Sequence, residues 1–354
     1  GKDMFRGHVF IVNEDTLPIH LEHMFVGTSA GEKDNNISLL ADMLRIKEND
    51  FIFFYIEGNE TKKGRFFGVF QAVDNTVYHL IGNNAKGPNL PIKLIYRKKI
   101  KPYKVYPKGV LEWVALDKLP TYAKELLWTL IYRKMKGKRG NTMLFPWEVE
   151  RLLSLIVAKN QGQPLTNNDF TFDKNSYEIK NSNQTLNHNI GNPIKVNQND
   201  LKKSESYFQA YILQNLSINN NNFFPQIFGK NLVWIGNEVF AGSGMQKIDI
   251  LTIEKIDEIN YLYRLIELKH PKSPMNVNFA PTQLKYYVKW AREDIGGHIL
   301  GGTQFNIKPV LVVLTNSFNS IPNNIVQGIK KLNSISASPE IYEIDFSLNI
   351  RKVL

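Results

Sequence analysis

Two apolar stretches in the second half of the chain, KIDILTI (Lys247–Ile253) and YLYRLIELK (Tyr261–Lys269), constrain its fold more tightly than any other feature. Both are rich in β-branched and large apolar residues, which suit a pleated, covered sheet. The polar segment EKIDEIN (Glu254–Asn260) between them reads as a turn. An antiparallel hairpin centred on Glu258 sets Asp249 directly opposite Glu267. Strand alternation then puts Lys269 on that same face, and Ile248, Ile250, Ile266 and Leu268 on the other, towards a core. Two carboxylates and an ammonium at the end of otherwise apolar strands are costly unless a cation or a substrate uses them.

The chain has 354 residues, enough for two domains with cores of their own, and its 43% hydrophobic and 22% charged content is that of a globular protein. No apolar run approaches the roughly 18–20 residues that span a bilayer, so no membrane association is expected. The opening GKDMFRGHVF lacks the apolar centre of a secretory signal. With no cysteine, disulfides and thiolate metal sites are excluded, and a cytoplasmic location is expected. A net charge of +11 calls for an anionic partner. Arg97, Lys98, Lys99, Lys101 and Lys104 crowd one stretch, interleaved with Tyr96, Tyr103 and Tyr106. Arg133, Lys134, Lys136, Lys138 and Arg139 form a second cluster free of acidic residues. Such cations bind phosphates without regard to sequence, and adjacent tyrosines stack on bases. The plainer alternative is a solvated basic surface.

Residues 159–200 are polar and Asn-heavy, with no sustained apolar period, and read as a linker holding at most a short strand near Phe170–Ile179. Residues 1–158 then form one domain and 201–354 another. The first is β-rich and barrel-like, α+β in class. Strands are expected at Arg6–Val12, Asp50–Ile56, Arg65–Val73, Leu90–Lys98 and Val110–Ala115, and helices at Ile37–Leu44, Tyr122–Lys134 and Trp147–Val157. The opening strand RGHVFIV, the pair IKENDFIFFYIEG and KGRFFGVFQAV, the segment LEWVALDKLP and the closing GNTMLFPWEVERLLSLI resemble the PUA-like superfold, in the branch with the EVE and YTH domains. That resemblance implies a β-barrel that binds a modified base of DNA or RNA in an aromatic cage. Trp113, Trp147, Phe25 and Tyr55 are the cage candidates, each with an ordinary core position as its alternative.

The second domain reads as α/β, a mixed sheet flanked by helices. It opens with a helix at Glu205–Leu216 capped by Ser204. Strands near Leu232–Ile235 and Glu238–Phe240 lead to the hairpin. A helix at Thr282–Arg292, a strand at Val310–Leu314, a helix at Asn324–Leu332 and a strand at Ile341–Ile344 follow. Glu205 on a helix, Asp249 and Glu267-Leu268-Lys269 on successive strands, and Gln283 and Tyr287 on a later helix resemble the PD-(D/E)xK nuclease superfamily. SESYFQAYILQNL, GSGMQKIDILTIE, LIELKHPKSP and APTQLKYYVKWARE are similar to the nuclease domain of the archaeal NucS-type enzymes, over about residues 203–292.

The resemblance implies a restriction-endonuclease-like fold that hydrolyses phosphodiester bonds with Mg²⁺, for which Mn²⁺ substitutes. Asp249 and Glu267, the Leu268 carbonyl and Glu205 are the implied metal ligands. Lys269 is expected to orient or deprotonate the attacking water, and Gln283 and Tyr287 to position Lys269 or the DNA backbone. His270, beside the lysine, reads as structural. The expected function is a restriction-type endonuclease acting as a homodimer on double-stranded DNA, its first domain reading a sequence or a modified base. RNA stays open as a substrate. The alternatives are a repair nuclease for mismatched or branched DNA, and a non-catalytic nucleic-acid-binding protein.

Overall fold

Phe51–Ile56 offers no polar face to solvent, and in the computed structural model every residue of this strand is buried. The structure describes residues 4–29, 36–117, 141–184, 186–242, 246–295 and 304–354. It is mixed α/β and divides into two units, one spanning Phe5–Lys195 and the other built on Val196–Leu354.

The first unit contains strands β1 (Gly7–Val12), β2 (Phe25–Thr28), β3 (Phe51–Ile56), β4 (Arg65–Ala72), β5 (Tyr78–His79), β6 (Tyr96–Pro102), β7 (Val110–Leu111) and β8 (Asn141–Leu144). After these come β9 (Phe170–Asp173), β10 (Glu178–Asn181) and β11 (Asn192–Pro193). Its helices are α1 (Leu17–His23), α2 (Ile37–Leu44), α3 (Glu112–Asp117) and α4 (Pro146–Lys159). The main sheet runs β11-β5-β6-β4-β3-β1-β8, with β2 on β6 and β7 on β4. Among the described residues no ladder closes this sheet into the expected barrel. Its core gathers Val9, Phe53, Phe66, Val69, Val149 and Ile156 from β1, β3, β4 and α4. The expected strand at Val110–Ala115 ends after two residues and turns into α3. The strand expected from Leu90 begins only at Tyr96. The helix expected at Tyr122–Lys134 lies outside the described residues.

The polar stretch 159–200 is no free linker. Up to Lys195 it belongs to the first unit, where β9 and β10 form a small antiparallel sheet. Phe170, Phe172, Tyr177 and Ile179 are buried. Phe172 packs edge-on against Phe67 at 5.6 Å, and the Arg65 guanidinium lies 4.8 Å from the Tyr177 ring. Composition measures whether a segment can fold alone. It is blind to a few large apolar residues anchoring a segment on a core that already exists.

The second unit begins with α5 (Glu205–Asn215) and α6 (Pro225–Phe228), followed by β12 (Leu232–Phe240), β13 (Lys247–Lys255) and β14 (Asn260–Lys269). Then come α7 (Ala280–Trp290), β15 (Gln304–Thr315), α8 (Asn323–Lys330), β16 (Glu340–Asp345) and β17 (Ile350–Lys352). The six strands lie in sequence order in one mixed sheet. β12, β13 and β14 form an antiparallel meander, β15 and β16 add in parallel, and β17 returns antiparallel. The parallel step from β14 to β15 needs a crossover, which contains α7. β15 lies between β14 and β16, and from Pro309 to Thr315 every residue is buried, as its apolar run requires. β12 is one strand where two were expected.

A buried carboxyl in the first unit gives a direct test. Glu148 on α4 is 2% exposed, and its Oε1 accepts from the Phe145 backbone N–H at 2.8 Å while Oε2 has no partner. Burial raises its pKa from 4.5 to about 8, the Phe145 hydrogen bond opposing. The protonated form therefore contributes stability that is complete below pH 4.5 and lost as pH rises through 8. Thermal melts of Glu148→Gln and wild type should diverge as pH rises from 4.5 to 8, the variant being more stable at pH 9 by about 1–3 kcal/mol. Parallel melting curves from pH 5 to 9 would contradict this.

Candidate active site

The hairpin keeps the register that apolar alternation demands. Ile250 faces Ile266 and Glu254 faces Leu262, which sets Asp249 and Glu267 at the next position, where β13 and β14 still run side by side. Ile248, Ile250, Ile266 and Leu268 are fully buried on the opposite face. An Asp249 carboxylate oxygen accepts from the Leu268 backbone N–H at 2.8 Å. Glu267 and Lys269 are 3% and 6% exposed, so this face is a recess and not an open surface. The Lys269 ammonium donates to Gln283 Oε1 at 2.9 Å and lies 3.4 Å from Glu267 Oε2. Glu267 Oε1 is buried with no hydrogen-bond partner.

Other predicted residues surround this core. Glu205 opens α5, whose N-cap Ser204 accepts from the Tyr207 N–H at 3.4 Å. Gln283 lies on α7 and holds the lysine. Tyr287, one turn on, points its hydroxyl at the Lys247 carbonyl at 2.7 Å and so fastens α7 to the start of β13. Lys269 is held by Gln283 and Glu267 instead. His270 has both ring nitrogens engaged: Nε2 donates to the Leu201 carbonyl at 2.7 Å, and Nδ1 accepts from the Lys272 N–H at 3.1 Å.

One residue escaped the sequence reading. Glu238 lies in β12 between Asn237, which pairs with Ile250, and Val239, which pairs with Ile248. That register sets it beside Asp249, and its charge acts on Asp249, Glu205 and Glu267. Its φ of +49° is unusual for a side-chain-bearing residue within a strand. The sole signal in the sequence was an acidic residue in an apolar strand next to the hairpin.

Burial and mutual repulsion push the carboxyls away from their ordinary range. Asp249 is raised well above it, by burial first and then by Glu267, Glu205 and Glu238. Glu205 is pushed up to about 7, by burial, Glu267 and Glu238, with Lys269 opposing. Burial raises Glu267 as well, against its contacts with Asp249 and Lys269. Among the described residues no three His, Cys, Asp or Glu side chains gather closely enough to hold a metal by themselves. Mg²⁺ asks for less, since it keeps several waters and is commonly bound through one or two carboxylates. Asp249, Glu267 with its unpartnered oxygen, and the Leu268 carbonyl supply a hard-oxygen donor set of that kind.

The predicted nucleic-acid contacts divide. Arg97 and Lys98 are fully buried and unavailable to phosphates. Arg97 donates to the Leu94 and Ala85 carbonyls, each at 2.8 Å, and sits 4.8 Å from the Phe25 ring. Lys98 donates to the Asp74 and Thr76 carbonyls at 3.2 and 3.1 Å. Burial lowers their pKa values to about 10 and about 8. Lys99, Lys101 and Lys104 are exposed, as is Tyr103, whereas Tyr96 and Tyr106 are core. Arg133, Lys134, Lys136, Lys138 and Arg139 lie outside the described residues.

Two of the four cage candidates, Phe25 and Tyr55, do not converge. Phe25 and Tyr55 are buried in separate core clusters, and Tyr55 donates to Glu112 at 2.7 Å. Trp147 stacks on Phe145 at 4.6 Å, and Trp113 belongs to α3. A cavity of about 220 Å³ opens elsewhere in this unit, lined by Phe10, Thr16, His20, Gly27, Leu90 and Leu94 among others. His20 is held neutral by burial, with its pKa lowered to about 4. Nδ1 donates to the Phe25 carbonyl at 2.9 Å, which leaves Nε2 as an acceptor.

No protein-family model matches the chain, and no curated protein matches it. Among solved structures, a hypothetical protein from Leishmania major aligns with 44% of this chain and 95% of its own, at 10% identity and a TM-score of 0.30. That likeness is too slight to carry an argument. No helix among the described residues is long and apolar enough to cross a membrane.

The left-handed backbone at Glu238 is testable without knowing the reaction. Glu238→Gly relieves a conformation costing roughly 1–2 kcal/mol for an L-residue and removes a charge beside Asp249. The variant should melt several degrees higher than wild type without divalent cations. A lower melting temperature would mean that the side chain stabilises the recess instead of straining it.

Proposed function

We propose that the chain is a Mg²⁺-dependent DNA endonuclease of restriction type, its Val196–Leu354 unit cutting and its Phe5–Lys195 unit reading sequence or a modified base. The observation that carries this reading is the hairpin end, where half-buried Asp249 and buried Glu267 lie together beside a lysine clamped by Gln283. A structural ion pair needs one carboxylate per lysine. Here Glu205, Asp249 and Glu267 share one, and a buried oxygen of Glu267 is left unsatisfied.

Asp249, Glu267 and the Leu268 carbonyl would hold Mg²⁺ or Mn²⁺, with Glu205 beside them through a bound water. Such a cation neutralises charge on the phosphate and lowers the pKa of bound water. The chain's own groups do the rest. Lys269, fixed between Glu267 and Gln283, orients the attacking water in line with the phosphorus and offsets negative charge gathering on the phosphate oxygens. Water oxygen bonds to phosphorus as the bond to the departing sugar oxygen breaks. Tyr287 keeps α7, and with it Gln283, docked on β13. In this reading the nuclease belongs with the PD-(D/E)xK enzymes and the first unit with PUA-like readers, its cavity beside His20 being the place for a flipped base. Cutting both strands of a duplex calls for two such sites, supplied by a homodimer.

Asp249→Ala and Lys269→Ala should each lose at least about 100-fold in cleavage of phage and plasmid DNA in Mg²⁺ or Mn²⁺, on the scale seen when a transition-state contact is removed. EDTA should abolish wild-type cleavage. A panel of modified, unmodified and mismatched duplexes of one sequence identifies what is read. Undiminished cutting by either variant would remove the assignment of the site.

A further inference from the structure

The chain immediately after Lys269 presents a surface that the chemistry of the recess does not use. Met275, Phe279 and Tyr286 are 70%, 60% and 40% exposed, unusually high for large apolar side chains so close together. They lie on the 3₁₀ turn Pro274–Phe279 and on α7, the two helical elements that follow β14. Phe279 has helical backbone angles (φ −87°, ψ −13°) and precedes Gln283 by four residues, while Tyr286 follows it by three. Helical spacing therefore sets both rings on the side of α7 that carries Gln283, whose amide holds Lys269 at 2.9 Å. Tyr286 also borders the β12–β13 connection: a Cβ built on Gly242, where φ is +84°, would come within 2.9 Å of its hydroxyl.

Charge says what covers this strip. From Leu268 to Arg292 the sequence holds no aspartate or glutamate, and Lys272, Lys285 and Lys289 are exposed along it. Protein–protein interfaces are depleted in lysine, whereas lysines interleaved with exposed rings suit a polyanion with stackable bases. We propose that this strip is where the catalytic unit grips nucleic acid, with phosphates on Lys272, Lys285 and Lys289 and bases against Phe279 and Tyr286. The proposal rests on the nuclease reading of the adjoining recess and adds the surface that brings a strand to it. An exposed ring beside the lysine clamp would hold a base out of its stack next to the phosphate being cut, paying for the unstacking with its own contact.

The test separates binding from cutting. Full-length protein in EDTA is titrated into a labelled duplex, by anisotropy and by the emission of a fluorescent purine placed in one strand, over a range of salt. Phe279→Ala should weaken binding roughly tenfold with an unchanged salt slope and abolish the rise in purine emission, as expected when one stacking ring is lost. Lys285→Ala combined with Lys289→Ala should lower the salt slope by about 2, close to one counterion per phosphate contact. Circular dichroism checks that these exposed substitutions leave the fold intact. Wild-type affinity and emission in Phe279→Ala would overturn the proposal while leaving the nuclease reading in place. So would sedimentation showing that Phe279→Ala splits a dimer whose subunits bind DNA as before, since the strip would then join two copies of the chain. If wild type cut no DNA with any divalent cation yet lost binding on Phe279→Ala, the nuclease reading would fall and the binding surface would stand.

Discussion

A carboxylate oxygen of Asp249 accepting the Leu268 backbone N–H at 2.8 Å is the contact on which the rest of the second unit's recess depends. It closes the end of the β13–β14 ladder and fixes Glu267 and Lys269 on either side of the bonded residue. The arrangement is expensive, because carboxylates drawn out of water together cost several kcal/mol each. What offsets this lies on the other face of the same strands. Ile248, Ile250, Ile266 and Leu268 are all fully buried, and each contributes roughly 1.5–3 kcal/mol. Alternation along a strand therefore does two jobs at one location: it gives the sheet its anchor and concentrates unfavourable charge over it. The clamp from Gln283 and the Tyr287 bond to the Lys247 carbonyl then tie α7 to this edge.

The hairpin was legible in the sequence because its information is local. A short polar turn between alternating apolar runs leaves one register in which all four core residues face inward, and that register is the one observed. α5 with its Ser204 cap was legible for the same reason. Glu238 was not, since its place beside Asp249 depends on pairing with a second strand and on a left-handed backbone angle that no pattern announces. The buried cations failed in the opposite direction. Arg97 and Lys98 sit in a run of positive charge, and counting charge along a chain cannot foresee that carbonyls of Leu94, Ala85, Asp74 and Thr76 will turn inward to receive them. The aromatic candidates illustrate the same limit. Phe25 and Tyr55 look alike in sequence, yet they belong to different core clusters, and neither lines the cavity beside His20.

Segment 159–200 shows how composition misleads at the scale of a domain boundary. Its asparagines and glutamines predict a chain that cannot bury enough apolar surface to order itself, and that holds for the segment alone. Phe170, Phe172, Tyr177 and Ile179 need only dock on a core already built by β4 and its neighbours. The division between the units falls at Lys195, close to where the apolar residues of the segment give out and before Val196 begins the second unit.

Charge acts on two length scales around the recess. The chain as a whole carries +11, and the strip from Leu268 to Arg292 contributes cations to it without a single carboxylate, so in the proposed reading the long-range field draws phosphates in. At the recess the sign reverses: Glu205, Asp249, Glu267 and Glu238 face one lysine, and a phosphate brought there meets like charge at short range. Two things relieve that conflict. Protons do so at low pH, since burial and repulsion raise Asp249 and bring Glu205 to about 7. In the proposed reading a divalent cation does so at higher pH, and it must compete with those protons for the same oxygens. In that reading a raised carboxyl pKa is the cost of a site that accepts positive charge. The cation requirement of the proposed reaction and the raised carboxyl pKa values then have one origin, the desolvation of carboxylates on β13, β14 and α5.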